Sequence, residues 1–395
     1  MKKLIFLLLT TFSYAQSVTK TINLLPDTGQ NSSYTATVGE DNDYNINVPS
    51  YTDNGNGTIT DNVTGLMWQK VDGGEMTFEN AISYCDNLVF AGYSDWRLPT
   101  PLESFSIMNL QNSNPALNTT YFSSPTTPGA DYWWTSTVQY GDATKVWCTN
   151  AGGGIGNKPK AETMSAGGTL KYNARAVRTV TTPTTITNHF TDNGDGTITD
   201  NMTQLVWQKI PNANLVTWEE AITYAEGLTL ANALDWRLPN IKELQSITNE
   251  LTTNPSVFTS YFSNLGVHNY WSSTTLKPNI QNPSSAWYWS TQYGITAYGS
   301  KTSANYVLCV RGIPQLGISQ FENKNVLKVF PNPFSTKISF ENKTGNEFYE
   351  LYDIQGKLFF SGKNIDKQDF SNLTKGTYFL KVIDHTISNF KLIKE

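Results

Sequence analysis

A stretch of nineteen residues occurs twice in the chain. The segment Thr52–Lys70 returns at Thr191–Lys209 with four substitutions and an offset of 139 residues. Solenoid repeats have periods of about 20–50 residues, so this longer period matches the size of one compact domain instead. The sequence therefore predicts two copies of one globular module, each expected to fold as a self-contained unit.

The N-terminus has the pattern of an export signal. Two lysines precede an apolar run over residues 4–12, and Ser13-Tyr14-Ala15 offers a small-residue cleavage site. This order is typical of a secretory signal peptide, here residues 1–15. No later segment holds 18 apolar residues in a row, so no transmembrane span is predicted. We expect an exported protein.

Charge is distributed unevenly along the chain. Residues 16–323 carry 15 Lys plus Arg against 25 Asp plus Glu, a balance of −10, whereas residues 324–395 carry 11 against 8, a balance of +3. Phosphate contacts depend on Lys and Arg, so nucleic acid is disfavoured as a partner of the acidic part. Three cysteines are too few for a disulfide scaffold, although an exported protein can hold one bridge.

Each copy opens with two strand patterns around a turn rich in Asn, Asp and Gly. Asn-Gly and Asp-Gly pairs supply the positive φ angles of tight hairpins, so a β-hairpin is predicted. The alternative is a calcium loop, because 192–196 resembles the acidic half of an EF-hand, although Thr191 stands at the first ligand position and no Glu closes the loop. The carboxylates available to such an ion are Asp53, Asp61, Asp192, Asp195 and Asp200.

Two helices are predicted in each copy, with N-caps at Thr77 and Thr217 and at Thr100 and Asn240. Between them lies a repeated Asp-Trp-Arg-Leu-Pro motif, and a glutamate follows in the next helix. The motif residues are Asp95, Trp96, Arg97 and Glu103, repeated as Asp235, Trp236, Arg237 and Glu243. Carboxylate and guanidinium groups close together also serve acid–base chemistry. We favour a buried pair and a stacking contact that fix the loop.

Aromatic residues fill the second half of each copy. The tryptophans that pair between copies are interpreted as core: Trp68 with Trp207, Trp96 with Trp236, Trp133 with Trp271, and Trp147 with Trp287. Six aromatics lack a clear counterpart, and we expect them to be exposed for stacking on a sugar face. They are Trp134, Tyr140, Tyr288, Trp289, Tyr293 and Tyr298.

The ordered motifs DNGDGTITDN, TGLMWQK, DWRLPT, YWWTST and CVRG together resemble the Lcl C-terminal-like domain family. The resemblance implies an α+β, C-type-lectin-like module associated with adhesion and glycan binding. It places the first module with its lead-in at residues 16–181 and the second at 186–313. A carbohydrate or another surface ligand is the implied partner, and no cofactor is implied.

Two features depart from that family. A helix cysteine and a last-strand cysteine often occur together there. Here the first copy has Cys85 and Ala176 at these two positions, and the second has Ala225 and Cys309. A Cys85–Cys148 disulfide is an alternative. The acidic balance is the second departure, because binding of sulfated polysaccharides through basic patches does not suit it.

The tail alternates apolar and polar residues between turn signals, which predicts a small antiparallel β-sandwich. The segment Val329-Phe330-Pro331-Asn332-Pro333 and the later Gly376-Thr377-Tyr378 resemble the type IX secretion C-terminal sorting domain, here residues 324–395 after a linker at 314–323. The resemblance implies transport across the outer membrane of a Gram-negative bacterium. It also implies the secretion machinery, and lipopolysaccharide as an attachment point, as partners.

The favoured function is a non-catalytic, adhesin-like protein at the cell surface or secreted, because two weak sites on one chain gain avidity. One alternative is an enzyme related to the formylglycine-generating group. That chemistry uses a close cysteine pair, and no two cysteines here lie within ten residues of each other. The other alternative is a structural matrix component without a specific ligand.

Overall fold

The computed structural model describes residues 17–123, 132–161, 172–277, 284–312, 327–341, 343, 345–383 and 387–395. The predicted signal peptide and the predicted linker at 314–323 lie outside these residues. The described part is mostly β-sheet with four short α-helices. None of its helices is long and apolar enough to cross a membrane.

The same series of elements occurs in both modules. The lead-in and first module contain β1 (Val18–Lys20), β2 (Tyr51–Asp53), β3 (Thr58–Asp61), β4 (Leu66–Gln69), α1 (Phe78–Asp86), α2 (Pro101–Ser106), β5 (Tyr132–Val138), β6 (Lys145–Asn150), β7 (Ile155–Pro159) and β8 (Val177–Thr179). The connection and second module contain β9 (Thr184–Ile186), β10 (Phe190–Asp192), β11 (Thr197–Asp200), β12 (Val206–Gln208), α3 (Trp218–Gly227), α4 (Ile241–Ser246), β13 (Asn269–Thr275), β14 (Ser285–Ser290), β15 (Ile295–Ser300) and β16 (Val310–Arg311).

Each module has two antiparallel sheets. The orders are β2-β3-β4-β8 and β5-β6-β7 in the first, and β10-β11-β12-β16 and β13-β14-β15 in the second. The predicted hairpins are confirmed, with Thr52 opposite Thr60 and Thr191 opposite Thr199. The predicted helix starts are confirmed as well, because α1 to α4 have N-caps at Thr77, Thr100, Thr217 and Asn240.

The expectation that the modules are self-contained is wrong. Each has a buried cluster of its own, but a third cluster contains residues of both. Its largest members include Trp68, Phe105, Trp133 and Trp147 from the first module, and Trp207, Phe262, Tyr270, Trp287 and Trp289 from the second. The faces that a single module would leave in water are apolar, so they are buried against each other.

The contact between the modules is reciprocal. A Cβ built on Gly294 would lie 3.2 Å from the Trp147 ring, and one built on Gly154 would lie 3.4 Å from the Trp287 ring. These are matched positions of the two copies, so each indole reaches a glycine of the other module. The arrangement resembles the two-fold interface of a homodimer, formed here within one chain.

The lead-in contacts both modules, although its predicted boundaries join it to the first. Asn23 and Leu24 donate backbone hydrogen bonds to the turn after β3. Further along, the Thr274 and Thr275 hydroxyls of β13 donate to Asp41 and Glu40, each at 2.5 Å. The lead-in therefore acts as a strap across the second module.

The tail has two antiparallel sheets that share a core. Its strands are β17 (Lys328–Phe330), β18 (Ser339–Glu341), β19 (Phe348–Asp353), β20 (Leu358–Gly362), β21 (Gly376–Ile383) and β22 (Ile387–Lys394). The sheet orders are β17-β18 and β20-β19-β21-β22. The rings of Phe340 and Tyr349 lie 4.7 Å apart between the two sheets.

Candidate functional site

Two of the six aromatics expected at the surface are buried, which corrects that prediction. Trp134 and Trp289 are both 0% exposed. The Trp134 indole donates to the Met76 carbonyl at 2.9 Å, as Trp271 does to Val216 at 3.0 Å. Trp134 is therefore the counterpart of Trp271, and the sequence pairing of Trp133 with Trp271 is wrong by one residue.

The other four aromatics are at least partly accessible, but they do not form one site. Tyr140 and Tyr298 are 54% and 59% exposed. Tyr288 and Tyr293 are half-buried. Tyr298 contacts the Trp287 ring, whereas Tyr288, on the neighbouring strand, contacts Trp271.

The Asp-Trp-Arg motif forms two ion pairs in each module. The two terminal nitrogens of Arg97, Nη1 and Nη2, donate to Glu103 at 2.7 Å each. Those of Arg237 donate to Glu243 at 2.7 and 2.6 Å. The Glu103 carboxylate also accepts the Thr100 N–H in a capping box. Burial opposes ionisation of Glu103, but its bonds with Arg97 bring the net pKa below the usual value.

The motif aspartates bind the last strand of each module. Asp95 pairs with Arg178 and Asp235 with Arg311, each at 2.7 Å. The Trp96 indole donates to the Phe90 carbonyl at 3.1 Å, which fixes the loop before the motif. The same contacts form in both copies. They hold the motif loop, the following helix and the last strand together, and we call this arrangement the frame of the motif.

The turn carboxylates bind their own turns. Asp53 pairs with Lys70 at 2.6 Å and Asp192 with Lys209 at 2.5 Å. Asp195 accepts the N–H and hydroxyl of Thr197. Asp61 and Asp200 accept N–H groups of the next turn. Within the described residues, no group of three or more His, Cys, Asp or Glu is placed to hold a metal.

No disulfide forms between Cys85 and Cys148, and Cys309 is not bridged either. All three cysteines are buried. Burial, with a smaller effect of Asp86, raises the pKa of the Cys85 thiol to about 12. The cysteines therefore pack as small apolar residues.

A cleft of about 200 Å³ opens on the second module, where the segment after β12, the segment before β13 and the segment before β16 meet. Among the described residues its lining is apolar, aromatic and amide, without a carboxylate or a cationic side chain of Lys or Arg. The lining residues are Ile210, Pro211, Asn212, Ala213, Asn264, His268, Tyr270 and Tyr306. This combination of apolar surface with a few polar groups is typical of small-molecule sites.

Two aromatic rings in close contact form one wall of this cleft. The centroids of His268 and Tyr306 lie 4.3 Å apart. The Tyr270 side chain lies beneath, 0% exposed, and its hydroxyl makes no hydrogen bond of regular geometry with the described protein. Burial raises the pKa of Tyr270, an effect that the backbone of Gly266 opposes in part. The hydroxyl is therefore neutral and buried beneath the cleft.

The matching interior of the first module is filled by charge. Arg175 donates to the carbonyls of Gln69, Lys70 and Ser123 at 2.8 Å each, and to Asp72 at 3.2 Å. The Trp133 indole also donates to Asp72, at 2.8 Å. In the second module Leu308, Pro211 and Tyr270 stand at these positions. The pair of charges is thus replaced by apolar groups and a hydroxyl.

This cleft was not predicted, although a difference between the two copies of the sequence indicates it. The predicted site residues were aromatics without a counterpart in the other copy, whereas Tyr270 has a counterpart, Trp133. The informative differences are the loss of a charge at Asp72 and at Arg175 in the second copy. Aligning the copies for lost charges would have pointed to the cleft.

Comparison with known families agrees with this duplicated architecture. The Lcl C-terminal domain matches residues 57–181 and 196–311, more than half of the chain. The chain belongs to the Lcl C-terminal domain family. The frame of the Asp-Trp-Arg motif thus lies inside both Lcl C-terminal domains, as does the cleft of the second.

The tail matches the secretion system C-terminal sorting domain at residues 328–395. This Lcl C-terminal domain protein is therefore exported by type IX secretion and is secreted or held at the outer-membrane surface, as in Bacteroidetes. The sorting domain implies contact with the secretion machinery.

No curated protein matches the chain. Among solved structures, it is similar to PorZ, a surface component of the type IX secretion system of Porphyromonas gingivalis, at 13% identity and a TM-score of 0.16. The match covers 67% of this chain and 30% of PorZ. So loose a superposition transfers no feature from PorZ.

Proposed function

We propose that this protein is a non-catalytic, adhesin-like binding protein, whose second module binds a neutral carbohydrate in the cleft between Asn212, His268 and Tyr306. The modules take a C-type-lectin-like arrangement in this proposal, supported by two short helices beside two small sheets in each. The cleft with the buried Tyr270 hydroxyl at its floor is the observation that carries the proposal.

The chemistry of the lining suits one sugar ring. A pyranose has an apolar C–H face that packs on the Tyr306 ring, and hydroxyls at its edge that bond the amides of Asn212 and Asn264. A volume of about 200 Å³ is below the roughly 300–1,000 Å³ of drug-sized pockets, which fits a terminal residue. The lining, as far as the structure describes the chain, carries no Lys, Arg, Asp or Glu, so a neutral sugar is favoured over an acidic one.

Glycan-array binding of the full chain tests the proposal. We expect neutral glycans to bind, and Tyr306→Ala to reduce the signal at least tenfold. Tyr140→Ala and Tyr298→Ala are matched controls, because both remove a tyrosine ring that lies outside the cleft and is more than half exposed. Equal losses in the controls, or binding that survives Tyr306→Ala, would exclude the cleft as the site.

A further inference from the structure

The last strand of the sorting domain places a lysine against the second module. Lys391 Nζ donates to the Trp236 carbonyl at 3.1 Å and the Glu226 carbonyl at 3.4 Å. It also lies 3.4 Å from the Glu226 carboxylate, with side-chain exposures of 12% for Lys391 and 1% for Glu226. This contact differs from a surface ion pair, because both partners are largely withdrawn from water.

The lead-in completes the surroundings of that ammonium group. The Tyr44 hydroxyl donates to the other Glu226 oxygen at 2.7 Å, and the Arg237 guanidinium lies 5.4 Å from the Tyr44 ring centroid. Burial raises the pKa of Glu226 above its usual value, and Lys391, Tyr44 and Arg237 offset only part of that rise. The hydroxyl thus comes from the strap, the carboxylate and one carbonyl from α3, and the other carbonyl from the Asp-Trp-Arg motif.

We propose that the second module carries a socket for a primary ammonium group, formed by the Glu226 carboxylate and the carbonyls of Glu226 and Trp236, with Tyr44 orienting the carboxylate. Lys391 of the sorting domain occupies this socket in the full chain. The four-carbon stem delivers a compact ammonium with three donors, and the socket presents three acceptor oxygens to it.

A second contact between tail and strap supports this docking. The turn after β19 lies on the lead-in, because a Cβ built on Gly356 would be 3.3 Å from the Ala36 carbonyl oxygen. A polar cavity of about 480 Å³ lies beside it, lined on one side by the lead-in and on the other by Tyr352, Phe379 and Lys381. The sorting domain therefore meets the protein that it exports at two places, one on the second module and one on the lead-in.

The first module offers a natural control. Glu226 corresponds to Asp86, which is exposed. The lead-in tyrosine has no counterpart there, and the described part of the chain places no lysine against Asp86. The socket is thus a property of the second module with its strap, so Asp86→Asn matches Glu226→Gln in chemistry without touching the socket.

Chemical rescue in the full chain tests the proposal. Lys391→Ala vacates the socket and should lower the melting temperature, and butylammonium chloride should restore part of the loss in a saturable manner. Sodium chloride at equal ionic strength should restore nothing, because the amine acts by binding. Glu226→Gln combined with Lys391→Ala should abolish the rescue, whereas Asp86→Asn with Lys391→Ala should keep it.

Two results would overturn the socket. One is an amine effect of the same size in the unsubstituted chain, which indicates a general solvent effect. The other is a Lys391→Ala chain that melts as the unsubstituted chain does and binds no butylammonium by calorimetry. Glycan binding at the cleft is read separately on the array, so failure of the socket and failure of the proposed function give different outcomes.

Discussion

Replacing Lys242 by leucine tests whether buried charge holds the strap. Lys242 is 0% exposed, and its Nζ donates to the carbonyls of Asp27 at 2.8 Å and Ser106 at 2.7 Å. Burial lowers its pKa to about 8, and Asp27, Asp61 and Asp41 act in the opposite sense. Leucine is the residue of the first module at this position, Leu102. The substitution thus keeps a residue type that this fold accepts.

The expected cost follows from the groups left behind. Removing one partner of a buried charge network costs about 3–5 kcal/mol. Two carbonyls also lose a donor, at about 1–3 kcal/mol each, although these costs overlap because one side chain makes both contacts. We expect Lys242→Leu to lower the local stability of the strap and β13 by about 3–5 kcal/mol. The loss should shrink at acidic pH, where Asp41 takes up a proton.

Native-state hydrogen exchange is the assay, because it reports stability amide by amide. Protection should fall for Thr275 and Gly39, and stay constant for Ile59 in the hairpin of the first module. Lys209→Leu is the matched control, since it breaks a surface pair worth about 0–1 kcal/mol. Unchanged protection at Thr275 would refute the reasoning, and the strap would then depend on apolar contacts.

Three further perturbations have defined outcomes. Gly294→Ala should lower the melting temperature more than Gly194→Ala, because both have positive φ but an added Cβ meets Thr248 at 2.3 Å only in the first. Burial raises the pKa of Asp41 from its usual 3.8 to about 6. The neutral carboxyl therefore stabilises the fold fully below pH 3.8, and this stability is lost as the pH rises through about 6. In Asp41→Asn the melting temperature should change less between pH 4 and 7. Ala225→Cys should form a disulfide with Cys309, which shares its buried cluster; thiol counting should find two free thiols fewer in the oxidised variant than in its reduced form, and oxidation should add about 2–4 kcal/mol.

Local signals in the sequence predicted the local structure. The Asn-Gly and Asp-Gly turns gave hairpins, and the Thr and Asn caps gave helix starts, because these features depend on neighbours within a few residues. The Trp134 prediction was wrong because the offset between copies changes from 139 residues at the hairpin to 137 at β5 and β13. Trp133 and Trp134 are adjacent and both buried, so alternation of buried and exposed positions does not tell which of them matches Trp271.

Burial that depends on residues far apart in the sequence could not be predicted from hydrophobic periodicity. A lysine such as Lys242 is expected in water, and its acceptors are the carbonyls of Asp27 in the strap and Ser106 in the first module, 215 and 136 residues away. The same holds for the cleft, where three segments meet around Tyr270. The shared core was not predicted, because Trp147 and Trp287 fit the apolar pattern of a strand within one module. That pattern does not indicate that the other side of each ring is buried against the second module.

The reciprocal indole contact decides how this chain behaves when it is cut or diluted. A break in the connection at residues 182–185 would leave Trp147 and Trp287 each facing solvent, and the halves would rejoin only as fast as their concentration allows. The covalent tether removes that dependence, because it holds each half at an effective concentration in the millimolar range. The exported protein thus keeps its paired arrangement at any dilution.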